Sequence, residues 1–179
     1  MRLLLRLSRS IDGVNRLFGV VAEWCVLVAV LISAANAVVR YSMNYSSNAF
    51  LEIQWYLFGA IVFLGASFTL QKNEHVRVDI VYSALSTRGR LWTDTVGLAL
   101  FLLPVTIYLA ALTLPFFLGA FRSHEHSINP GGLILWPIKL VLPLGFALLT
   151  LQGVSELIKR IAALRGISTV ETSYEKPQQ

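Results

Sequence analysis

The sequence predicts an all-α integral membrane protein: four transmembrane helices in two antiparallel hairpins, with both termini on the cytoplasmic side. Three observations carry this expectation. Of 179 residues, 55% are hydrophobic and only 14% are charged, against about 45–50% and about 25% in ordinary globular domains. Mean hydropathy is +0.64, and a soluble core of this size cannot hide so much apolar surface. The apolar residues gather into four runs of about 22–25 residues, each enough to cross a hydrocarbon layer of about 30 Å as a helix. Finally, the basic residues alternate between the two sides of those runs.

The runs, taken in order, are residues 17–39, 49–70, 94–118 and 133–157. None shows the period-2 alternation of a barrel strand, the only other spanning solution. Short connections make neighbouring runs antiparallel. The Arg-rich start, the first run and Ala35-Asn36-Ala37 together imitate a cleavable secretory signal. Retention is expected, because the run is nearly a full span and its removal would break the charge alternation. Pro104, Pro115, Pro137 and Pro143 fall in the third and fourth runs, where each removes a backbone donor and is expected to kink its helix. Residues 1–165 thus form one membrane domain. Residues 166–179 are polar, lack periodicity and read as a solvated cytoplasmic tail.

Orientation follows from the cations. Arg2, Arg6, Arg9 and Arg16 precede the first run, and Arg40 follows it. Lys72, Arg77, Arg88 and Arg90 lie in the second connection, Arg122 in the third, and Lys159, Arg160, Arg165 and Lys176 after the fourth. Basic residues are retained on the cytoplasmic side, so both termini and the middle connection belong inside. Trp24 and Trp92 at the inner ends, and Trp55 and Trp136 at the outer ends, fit the headgroup level that indole rings prefer. The net charge of +5 therefore reads as topology and contact with anionic lipid. It does not read as a nucleic-acid patch, because the cations are spread over separated segments.

Ionisable groups inside a span are candidates for function, since burying one in hydrocarbon is costly. Three stand out: Glu23, about 9 Å in from the inner side, Glu52, about 4–5 Å in from the outer side, and Lys139, about 9 Å in from the outer side. Depth allows Glu52 to pair with Lys139 but keeps Glu23 from both, so Glu23 needs another partner. The plainer readings are an interfacial Glu52 and a snorkelling Lys139. His75, His124 and His126 fall in connections, away from the mid-span positions of axial haem ligands. His124-Glu125-His126 is a poor metal cage at its i, i+2 spacing. No hydrolase constellation or phosphate-cradling loop is visible. The expectation is no enzyme and no cofactor. The single Cys25 excludes an intramolecular disulfide. Small residues Gly59, Gly65, Ala66, Ser67, Gly145 and Gly153 suit close helix packing, either within the chain or against a partner.

Glu52-Ile53-Gln54-Trp55, then Leu64-Gly65-Ala66-Ser67, then His75-Val76-Arg77-Val78-Asp79 give the chain a family likeness, extended by Trp136-Pro137-Ile138-Lys139 and Leu142-Pro143-Leu144-Gly145-Phe146. It resembles the small permease subunit of tripartite ATP-independent periplasmic (TRAP) transporters, over roughly residues 15–165. The resemblance implies a non-catalytic subunit in a bacterial inner membrane that braces a large permease. That permease would carry the sodium and substrate sites, and a periplasmic binding protein would capture an organic acid. Outer connections 40–48 and 119–132 would be the surfaces offered to that protein. Glu23, Glu52, Trp55, His75, Arg77, Asp79 and Lys139 become candidate structural or interface residues, with Arg77 able to pair with Asp79 or with a headgroup phosphate. Two other readings stand beside this one: the membrane anchor of a respiratory or redox complex, and a self-contained small transporter.

Overall fold

The computed structural model describes residues 1–45, 47–74 and 85–167. They form α1 (Arg2–Met43), α2 (Asn48–Lys72), α3 (Thr87–Val96), a π-helical stretch (Gly97–Leu102), α4 (Leu103–Ser123) and α5 (Trp136–Leu164). Because α3, the π-helical stretch and α4 run on as one rod, four helices are long and apolar enough to cross a membrane. The all-α membrane class therefore stands.

The helices outrun the predicted runs at one end. With 42 residues, α1 is about 63 Å long, roughly twice the hydrocarbon thickness. The reason is a seven-residue repeat that begins well before the apolar run. Ser8, Asn15, Ala22 and Ala29 are all buried, with Ile11 buried and Phe18 and Cys25 half-buried between them. A repeat averaging 3.5 residues keeps one seam facing a partner along the whole rod.

That seam faces α5 at Ser8 and Asn15 and packs chiefly on α2 further along, while α5 touches every other helix. Ser8 meets Ser155 and Asn15 meets Gln152, so α1 and α5 run in opposite senses. Ala22 joins Leu64 of α2 and Leu148 of α5 in the apolar core. Contacts at Asp12–Gln71, Gly19–Phe68 and Gly65–Ala22 run α1 against α2. Thr150 bonds Thr106 and Gly153 sits on Leu102 and Leu103, running α5 against the third rod.

Glycines mark where the helices come closest. A Cβ at Gly145 would lie 2.6 Å from Phe63 Cβ and 2.7 Å from the Phe63 carbonyl oxygen, and backbone cannot swing aside. Gly59 faces Ile138 and Gly153 faces Leu102 at 2.6 Å. These glycines serve internal packing, which resolves the choice left open by the sequence for all three. Gly145→Ala is expected to pry α2 from α5 and to cost about 1–3 kcal/mol. A thermal-unfolding midpoint in detergent equal to wild type would contradict that.

Pro104 explains the π-helical stretch. It sits at the second position of α4 and has no N–H to offer the carbonyl one turn back. The chain answers with a wider turn, in which Leu103 N–H reaches Leu98 O, a local bulge of the π type. Pro137 stands in the first turn of α5, where the missing donor was free in any case. It starts that helix and does not interrupt it.

Candidate functional site

Two polar clusters lie at opposite ends of the bundle. At one end, residues 124–135 fold back as a compact loop. His124 ends α4 in the left-handed region with φ 49°, and Leu135 N–H donates to Glu125 O at 2.8 Å. Ser127 N–H donates to Leu133 O at 2.9 Å, closing the loop into a short antiparallel bridge. Gly131 turns the tip with φ 71°, a conformation that glycine adopts without strain.

Glu52 holds this loop from below. Only 3% exposed, its carboxylate accepts from the Ser127 hydroxyl, from Asn129 Nδ2 at 2.8 Å and from Leu133 N–H at 2.7 Å. Asn48 Nδ2 donates to Pro130 O, and Tyr56 OH donates to Ile134 O. Three α2 residues at four-residue spacing therefore line one helix face against the loop.

The Glu52–Lys139 pair expected from depth does not form. Lys139 Nζ donates to Glu125 Oε2 at 2.5 Å and lies 4.1 Å from the Phe116 ring centroid. The loop supplies each residue with a nearer partner, because it doubles back over the helix ends. Sequence depth put both residues at one end of the bundle, where both meet this loop, but could not show that fold-back. Nor does Lys139 simply snorkel: its side chain is 13% exposed, against a ring face that attracts cations.

At the other end, the elongated α1 and α5 meet in a dense network. Asp12 Oδ1 accepts from Ser155 Oγ at 2.7 Å and Gln152 Nε2 at 2.9 Å, and Asp12 pairs with Lys159 at 3.1 Å. Asn15 Nδ2 donates to Gln152 Oε1 at 2.8 Å. Glu156 takes Lys159 on one oxygen and Arg160 on the other. Arg160 Nε reaches Asp94 at 3.1 Å, and Gln71 Nε2 donates to Asp12 O at 3.2 Å. One network thus ties together α1, α2, α3 and α5. Sequence reading singled out none of Asp12, Asp94, Glu156 or Arg160 as a site. Two signals were present: the seven-residue repeat running back through Ser8, and the Glu156, Lys159, Arg160 spacing that pairs charges along a helix.

Of the remaining candidates, Trp55 is exposed beside the Glu52 loop cluster and Glu23 is exposed on the flank of α1. His75, Arg77 and Asp79 lie outside the described residues. Among the described residues, no group of three His, Cys, Asp or Glu is placed to hold a metal ion. His126 belongs instead to the loop bridge, and Glu125 to the Lys139 pair.

The family model for the DctQ component of tripartite ATP-independent periplasmic transporters matches residues 27–163. That stretch covers the Glu52 loop cluster entirely and the α5 half of the other network. No curated protein and no solved structure matches the chain.

Proposed function

The chain belongs to the DctQ-component family of tripartite ATP-independent periplasmic transporters, and from that premise we propose that it is the non-catalytic small membrane subunit of a sodium-coupled importer of organic acids. Its work is to brace the large permease in a bacterial inner membrane, with both termini in the cytoplasm. The observation that carries the bracing role is how the charges are spent. Asp12, Glu52, Lys139, Glu156, Lys159 and Arg160 are all engaged within the chain, fastening helix ends to one another. Charges fixed this way stiffen a scaffold, whereas carrying a solute needs groups free to release it.

The outer loop fits a second part of this role. Glu52 holds it in one shape, and its tip presents Ile128 fully exposed, an anchor for transient docking of the periplasmic binding protein. The 4–1–4–1–4 distribution of cations supports a periplasmic place for this loop.

Reconstitution tests the reading. Proteoliposomes holding this chain and its large permease are expected to accumulate organic acid only with the binding protein and an inward sodium gradient. Liposomes holding this chain alone are expected to accumulate none. Uptake by the chain alone, or undiminished uptake by the permease without it, would overturn the proposal.

A further inference from the structure

One long flank of α1 carries charges that no described residue answers. Glu23, Val30, Ala37 and Asn44 recur at seven-residue intervals, and Val26, Ser33 and Arg40 fall between them. At 3.6 residues per turn these positions form one stripe, beside the buried seam and turned away from it. Glu23 and Arg40 are both exposed. Neither makes an ion pair or hydrogen bond with any described residue. About 25 Å of helix separates them, most of a hydrocarbon layer.

The same stripe borders two hollows along the outside of the α1–α2 junction. One, of about 300 Å³, is bounded by Gly19, Glu23 and Val26 with Gly65 and Ala66 opposite. The other, of about 610 Å³, is bounded by Ser33, Asn36, Ala37 and Arg40 with Leu51 and Gln54 opposite. Asn36 continues the repeat of Ser8, Asn15, Ala22 and Ala29. Its Oδ1 is shielded from solvent by the chain itself, so Asn36 belongs to the internal seam beside this stripe.

Lipid is a poor match for this flank. Acyl chains offer Glu23 no counter-charge, and a carboxylate at that depth is costly when unpaired. We infer that the α1–α2 junction seats a transmembrane helix of the large permease. That helix would present a cation or amide donor opposite Glu23 and a carboxylate opposite Arg40. The inference rests on the proposed function and adds to it the face and the chemistry of the contact. Small residues at Gly65, Ala66 and Ala37 let the incoming backbone approach closely.

The test co-expresses this chain with the tagged large permease of its own transporter and measures how much chain the permease retains. Glu23→Lys and Arg40→Glu place like charge against the partner and are each expected to lower retention on the order of tenfold or more. Each variant's unfolding midpoint, measured alone in detergent, separates loss of contact from loss of fold. With Cys25 replaced by serine, single cysteines at Val30 or Ala37 are expected to cross-link to the permease. A cysteine at Val28, on the opposite flank, is not. Wild-type retention with undiminished retention of both charge variants, cross-linking from Val28 alone, or cross-links joining two copies of this chain would each overturn the inference. A wild-type chain that the permease does not retain would remove the proposed function itself.

Discussion

Arg160→Leu is expected to destabilise the folded chain by about 3–5 kcal/mol, the usual cost of removing one member of a buried ion pair. The guanidinium is 5% exposed and stands between Glu156, at 7%, and Asp94, at 13%. Its loss takes away the cation that joins Asp94 to Glu156, leaving Glu156 with Lys159 on its other oxygen and little water to fill the gap. For a chain of this size the change should lower the unfolding midpoint by roughly 6–20 °C. Lys159 is 25% exposed, so water can solvate its partners, and Lys159→Met should cost much less. Glu156→Leu combined with Arg160→Leu should be less destabilised than the two single changes added together, because each removes what the other strands. Unfolding of detergent-solubilised chain reads all four variants. Equal effects at Lys159 and Arg160, or strict additivity, would show that the network is ornamental.

That network also shows what the sequence could and could not disclose. Four spans were legible because apolar length and the segregation of charge are one-dimensional properties, counted along the chain. The inner helical extensions were less so, because residues 1–16 look like a polar leader when judged by hydropathy alone. Their helicity is written in a different property, the seven-residue spacing of Ser8, Asn15, Ala22 and Ala29. That spacing mixes small and polar residues, and a hydropathy window passes over it. Asp12 and Lys159 lie far apart in sequence yet 3.1 Å apart in space, a pairing that only the packing of α1 on α5 creates.

The outer end teaches the complementary lesson. Glu52 was picked out correctly as unusual, for the physical reason that a carboxylate so near hydrocarbon needs compensation. Its compensation came from a direction that depth could not supply. Ser127, Asn129 and Leu133 belong to a connection with no hydropathy signal, whose shape depends on the left-handed His124 and Gly131. A backbone N–H at Leu133 is invisible in any list of side chains. Glu23, by contrast, was expected to need a partner other than Glu52 or Lys139, and the structure leaves it exposed on the flank of α1.

Glu52→Ala is expected to loosen the outer loop while leaving the helices in place. Three donors lose their acceptor at once, and the Leu133 N–H has no other acceptor assigned to it. Amide exchange at Leu133 should quicken on the order of tenfold or more, as an unsatisfied donor opens to water. Asn48 and Tyr56 still tie Pro130 and Ile134 to α2, so the loop should fluctuate about its place without detaching. Glu52→Gln should fall between the two. Its amide oxygen can still accept from Ser127 and Asn129, but its NH2 then meets the Leu133 N–H, donor against donor. The Arg160 network, at the other end of the bundle, should keep wild-type exchange in both variants. If the loop docks the binding protein, transport by the reconstituted complex should slow in the same order, alanine more than glutamine, with permease retention unchanged. Unaltered Leu133 exchange would deny Glu52 its structural role; altered exchange with unaltered transport would leave that role intact and free the loop from docking.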